Sequence, residues 1–96
     1  MPGAWFYILA NKRNGTIYCG STDDIGRRMV EHRTHAFAGF TSRYGVTMLV
    51  YYTHHDLLMD ARAREYRVKK WRRAWKIALI ESANPDWRDL FDDLNN

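Results

Sequence analysis

The sequence predicts an α+β fold, a small three-stranded, mainly antiparallel sheet flanked by helices. Three observations predict it. Two β-type runs, Trp5-Phe6-Tyr7-Ile8-Leu9 and Thr16-Ile17-Tyr18-Cys19-Gly20, lie on either side of the hairpin dipeptide Asn14-Gly15. A third run, Thr47 to Thr53, follows a stretch containing Gly39 and Gly45. The other segments carry helical signals, giving the order ββαβαα. A length of 96 residues predicts a single domain, residues 1–96 with a core of about 4–90. With 46% hydrophobic residues the chain has the apolar content of a globular protein, which excludes wholesale disorder.

Each element has a local cause. Alternation puts Tyr7 and Leu9 on one face of the first strand, and Thr16, Tyr18 and Gly20 on one face of the second. Ser21-Thr22-Asp23-Asp24 offers cap residues and first-turn carboxylates, so a helix is expected from there to about Arg33 or His35, with Gly26 inside it. Residues 36–46 read as a loop. Asp56 opens a long helix to about Trp71, which continues over Arg73 to Ser82 after a bend. Asn84-Pro85 interrupts the pattern, and a last short helix is expected from Asp86 to Leu90.

Four Trp, six Tyr and four Phe supply a core large enough for a small chain without staples. Cys19, the lone cysteine, excludes an internal disulfide framework and suits a reducing compartment. No signal peptide is visible at the start and no run of about 18 uncharged apolar residues occurs, so a cytoplasmic location and no membrane partner are expected. The net charge of +4 is unevenly spread: residues 1–61 balance at +1, residues 62–76 at +7 and residues 77–96 at −4. The dense block fits either a polyanion partner or a solvated helix face offset by the acidic tail.

Polar residues stand where apolar ones are expected. Arg28 and His32 share a helix face with Ile25 and Met29. They either meet partners over the sheet or snorkel at the edge of the stripe. Glu65 interrupts the stripe Leu58, Ala61, Val68. It is either a surface ion pair with Arg62 or Lys69, or a carboxylate held for a divalent metal, which needs only one carboxylate when phosphate oxygens supply further ligands. Two tyrosines, an arginine, a histidine and a carboxylate are thus expected to converge above one sheet face. His54 and His55 point opposite ways on an extended segment, and Cys19 is the only thiol beside His32 and His35, so a structural zinc site is not expected.

The series Trp5-Phe6-Tyr7-Ile8-Leu9, Gly15-Thr16-Ile17-Tyr18-Cys19-Gly20-Ser21, Arg28-x-x-x-His32 and Glu65 resembles the GIY-YIG nuclease superfamily. It is most similar to the small stand-alone bacterial members of the UPF0213 type. The segments Lys70 to Ile77 and Asn84 to Leu90 also look like that group, so the resemblance spans roughly residues 4–90. It is the order and spacing of the motifs that is specific. Trp5 and Phe6 stand in place of the Gly-Ile of the first half-motif, and Cys19 in place of an isoleucine or valine.

The resemblance implies a metal-dependent DNA endonuclease, nonspecific or structure-selective, with single-stranded or branched DNA among its substrates. It implies catalytic roles for Tyr7, Tyr18, Arg28, His32 and Glu65, with Gly20 as the motif glycine and Asn84 as a late asparagine. Glu65 would hold one Mg²⁺ or Mn²⁺, Arg28 would bind a phosphate oxygen, and Tyr7 or Tyr18 would take the proton of water. Arg62, Lys69, Lys70, Arg72, Arg73 and Lys76 would follow the DNA backbone through phosphate contacts, with Trp71 and Trp75 interleaved among them. Two other readings stay open: a nucleic-acid-binding module with little catalysis, and a small protein-interaction domain. Oligomeric state is not legible.

Overall fold

The computed structural model describes residues 3–34, 39 and 43–95. Strand β1 is Ala4–Ala10, β2 is Ile17–Thr22 and β3 is Met48–His55. Helix α1 is Ile25–Arg33, α2 is Leu58–Lys69 and α3 is Arg73–Ala83, and a 3₁₀ helix covers Leu90–Asn95. β1 lies between β2 and β3 and pairs antiparallel with both, the predicted α+β arrangement.

The two sheet faces are covered by different elements. Phe6, Ile8, Ala10 and Cys19 pack with Val68 of α2, Ile80 of α3 and Trp87. Tyr7 and Leu9 pack with Ile25 and Met29 of α1 and with Leu90, Phe91 and Leu94 of the 3₁₀ helix. Both faces of β1 are therefore buried, as its nearly unbroken apolar run requires.

Several boundaries differ from expectation for identifiable reasons. The hairpin does not close on a two-residue Asn-Gly loop: Asn11 meets Thr16 through Asn11 N–H to Thr16 O (3.3 Å) and Thr16 N–H to Asn11 Oδ1 (2.9 Å), and a turn from Lys12 to Gly15 fills the gap. Asn14 takes the left-handed backbone conformation there, φ 57°. Ser21 and Thr22 extend β2, pairing with Phe6 and Trp5, because ladder bonds compete successfully with their capping tendency. Asp24 is the residue that caps α1, accepting from Arg27 N–H at 3.1 Å. No helix forms at Asp86: Asn84 bonds Arg88 on both sides of the turn, and Trp87 has φ 55°. The expected loop over 36–46 and the helix end at His35 lie largely outside the described residues.

Candidate active site

Tyr7 on β1 faces Gly20 on β2, and the next pair on the same face is Leu9 with Tyr18. Glycine is required at position 20 by close approach. A Cβ there would stand 2.5 Å from both Cζ and the hydroxyl of Tyr7. The Tyr7 ring thus lies across Gly20, and its hydroxyl reaches His32 Nε2 on α1 at 3.2 Å. Tyr18 completes a three-ring cluster, with centroids 6.5 Å from Tyr7 and 5.7 Å from His32.

Arg28 sits one turn before His32, half-buried, with Nε 3.3 Å from Glu31 Oε1. Its charge acts on both neighbours. Burial lowers the basicity of His32, and the Arg28 guanidinium lowers it further, against an opposing pull from Glu31. Both effects favour the neutral imidazole. Burial, followed by the neighbouring Tyr18, pushes the Tyr7 phenol well above the ordinary tyrosine range, with Arg28 opposing. Tyr7 keeps its proton, and its bond to His32 joins two neutral groups.

Glu65 comes from α2. Its Oε1 accepts from the Ser21 hydroxyl at 2.5 Å, and its Oε2 meets Lys69 Nζ at 2.6 Å. The hydrogen bond to Glu65 holds the Lys69 ammonium above its ordinary range. Ser21 pairs with Phe6 and shares its face, opposite to Gly20 and Tyr7. The five residues expected above one face are thus divided. Tyr7, Tyr18, Arg28 and His32 lie on the α1 side, and Glu65 approaches from the α2 side. Lys69 links the two groups across the edge strand, its ammonium lying 5.7 Å from the Tyr18 ring centroid.

Other candidate residues are placed elsewhere. Asn84 is buried beneath β3, at the opposite edge of the sheet from β2. Its amide donates to Val50 O (3.0 Å) and Arg88 O (2.8 Å), and its oxygen accepts from Arg88 N–H (3.0 Å). These bonds tie the end of α3 to β3 and to the turn that follows, and the structure does not bring Asn84 together with the Tyr7, Tyr18 and His32 rings. In the basic block, Lys69 is committed to Glu65, while the Arg73 guanidinium donates to the carbonyls of Asn14 and Gly15 at 2.6 Å each. Lys70 bonds the Tyr66 hydroxyl at 2.7 Å and Arg72 lies 4.6 Å from the Trp75 ring, both at exposed positions. Arg62 is exposed, and Lys76 is half-buried near Cys19, whose thiol burial pushes up to about 11.

Two participants escaped sequence reasoning. Ser21 reads as a helix cap, and only the extra strand length turns its hydroxyl towards α2. Glu31 becomes legible only once Arg28 is placed, three residues earlier on the same helix.

Known proteins share this arrangement of elements. Residues 3–78 match the family model described as the GIY-YIG catalytic domain. Over 78 residues the chain is 33% identical to UPF0213 protein CPE1444 of Clostridium perfringens, covering 81% of this chain and 83% of that protein. It is 30% identical over 89 residues to UPF0213 protein DP2720 of Desulfotalea psychrophila, covering 92% and 81%. The solution NMR structure of UPF0213 protein BH0048 from Bacillus halodurans is similar, with a TM-score of 0.56, 28% sequence identity, and coverage of 91% and 92% of the two chains.

Proposed function

This chain belongs to the GIY-YIG catalytic-domain family, and from that premise we propose that it is a metal-dependent endonuclease that hydrolyses DNA phosphodiester bonds without reading base sequence. The observation that carries the reading is the three-ring cluster of Tyr7, Tyr18 and His32, flanked by Arg28 and approached by Glu65. A hydrolytic centre needs a proton acceptor, a cation for the phosphate and a carboxylate for a metal; the ring cluster and Arg28 supply the first two from the α1 side, and Glu65 supplies the third from the α2 side of the edge strand.

The tyrosines have different parts. Tyr7 is 1% exposed, and its phenol holds its proton tightly, so it orients His32. Tyr18 is half-exposed at the edge strand, where a water can reach it, and it serves as the proton acceptor. As Tyr18 takes the water's proton it must give up its own phenol proton, and His32, which lies against both rings, is placed to take it up. Arg28 places a guanidinium fork at the same face, suited to two phosphate oxygens.

The donor set fits a hard divalent cation. Among the described residues no group of three His, Cys, Asp or Glu side chains comes together, which does not suit an all-protein metal cage. A lone carboxylate held by Ser21 suits Mg²⁺ or Mn²⁺, which take their remaining ligands from water and phosphate. Bound at Glu65, such an ion would supply Lewis-acid stabilisation of phosphate charge.

Exposed Arg62, Lys70 and Arg72 would follow the DNA backbone. A second reading, a DNA-binding module with little catalysis, draws on the salt bridge that occupies Glu65. Incubation with single-stranded, duplex and branched DNA, with Mn²⁺ or with EDTA, separates the two. Metal-dependent nicking that disappears in Glu65→Gln is the expected result. Salt-sensitive binding without nicking would favour the module.

A further inference from the structure

Resting on the reading of Glu65 as the metal ligand, we propose that Lys69 is a resident counter-ion that a divalent cation must displace, so that the carboxylate is masked until its charge is needed. Both carboxylate oxygens of Glu65 have partners, and the two partners differ in kind. The Ser21 hydroxyl is a neutral donor at 2.5 Å from Oε1. It can stay in place while the other oxygen binds a cation, and it then fixes the carboxylate plane. The Lys69 ammonium is 2.6 Å from Oε2. A cation arriving at Oε2 would meet a like charge at contact distance beside a carboxylate only 21% exposed, where screening by solvent is reduced.

Lys69 is built to leave. It is the last residue of α2, its side chain is half-exposed, and its four-carbon stem rotates freely about single bonds. It also has a destination, since its ammonium already lies 5.7 Å from the Tyr18 ring. A phosphate beside Tyr18 would therefore compete with Glu65 for the ammonium. Cation binding at Glu65 and phosphate binding near Tyr18 then favour each other, and by linkage the coupling is reciprocal.

The test is Mn²⁺ titration of the full chain without nucleic acid, reading free Mn²⁺ by electron paramagnetic resonance. Four variants are compared: Lys69→Met, Lys69→Arg, Glu65→Gln and Arg67→Met. Circular dichroism confirms that each is folded. Losing a competing helix ion pair should tighten Mn²⁺ binding by Lys69→Met roughly two- to fivefold. Lys69→Arg keeps the competing charge and should stay near the parent. Arg67 is exposed on the same helix, so its variant removes one charge without touching Glu65 and should also stay near the parent.

Unchanged or weaker binding by Lys69→Met, with Glu65→Gln still losing the ion, would overturn the counter-ion role while leaving Glu65 as the ligand. Equal tightening in Arg67→Met would overturn it as a general charge effect. Parent-like binding by Glu65→Gln would remove the reading of Glu65 itself, and the counter-ion role with it.

Discussion

The tyrosine at position 7 depends on what its neighbours lack. Gly20 has no Cβ, and the Tyr7 ring occupies that space on its way to His32. Gly20→Ala therefore forces the ring aside, at a cost of about 1–3 kcal/mol for overpacking. The resulting misalignment should reduce the nicking rate further, on the order of 100-fold for a displacement of about 1 Å. Melting temperature and the rate measured on folded protein separate the two effects. A parent-like rate would mean that the bond between Tyr7 and His32 is not used. His32 gives a prediction with a definite sign. Burial and Arg28 hold its basicity below the ordinary value of 6.5, so the folded chain takes up this proton less readily than the unfolded chain. Its contribution to stability is complete above pH 6.5 and is lost as pH falls through the lowered folded value. The melting-temperature advantage of the parent over His32→Gln should therefore be larger at pH 7.5 than at pH 5. A difference independent of pH would show that the imidazole is unperturbed. Much of this cluster was legible from strand alternation and the three- and four-residue helix spacings, which put Tyr7, Tyr18, Arg28 and His32 on matching faces. The hydrogen bond from Ser21 to Glu65 was not, because it depends on how α2 packs across the edge strand.

At the scale of elements, the basic block divides by what each side chain already holds. The spacing of residues 62–76 shows a cationic run but not its partners. Arg73, first residue of α3, ties that helix to the β1–β2 hairpin through the carbonyls of Asn14 and Gly15. Lys69 belongs to Glu65. Arg62, Lys70 and Arg72 are also exposed, the last two over exposed aromatic rings, Tyr66 at 65% and Trp75 at 50%, and Lys70 holds only the neutral Tyr66 hydroxyl, so each can still meet a phosphate. Replacing these three with glutamine should leave the melting temperature close to the parent. The slope of log K against log salt should shrink by roughly 0.7–0.9 for each phosphate that the protein no longer neutralises. Arg73→Gln should do the reverse, lowering the melting temperature with little change of slope. Binding titrations at several salt concentrations, paired with thermal melts, check both. A slope unchanged in the triple variant would move the nucleic acid to another surface. The helix boundaries were harder to read than the faces. Ser21 and Thr22 satisfy both a cap pattern and a strand, and only the cross-strand partners Phe6 and Trp5 decide between them.

Across the whole molecule, the C-terminal segment joins the two faces of the sheet. Trp87 packs beside Phe6 and Ile8, while Leu90, Phe91 and Leu94 pack against the layer of Tyr7 and Leu9. The segment therefore passes around β3, an edge strand, and side chains on either side of Trp87 satisfy that edge. The register with β1 shifts between Ile8, which pairs with Tyr51, and Leu9, which pairs with Leu49, leaving Val50 as the extra residue of a bulge. Asn84 Nδ2–H donates to Val50 O, and Leu49 N–H donates to Asp89 Oδ1. Neither bond was legible in the sequence, because nothing local to Asn84 or Asp89 shows a bulge 34 to 40 residues earlier. Asn84→Ala leaves a buried carbonyl unpaired and should cost about 1–3 kcal/mol, with the nicking rate per folded molecule unchanged. A selective loss of rate would return Asn84 to the site. Asp89 reaches further, because its other oxygen pairs with Arg33, whose guanidinium stacks 4.3 Å from the Phe91 ring. Arg33 ends the helix that carries Arg28 and His32, so this ion pair connects the tail to the face of the sheet that holds Tyr7 and His32. Asp89→Ala should therefore loosen two places at once. Hydrogen exchange should accelerate at Leu49 and Phe91, whose amides donate to Asp89, and also in the last turn of α1. Exchange in α2, on the other face, should stay near the parent. Acceleration confined to the tail would show that Ile25, Met29 and the bond from His32 to Tyr7 hold α1 without the tail, and that the tail has no part in positioning His32.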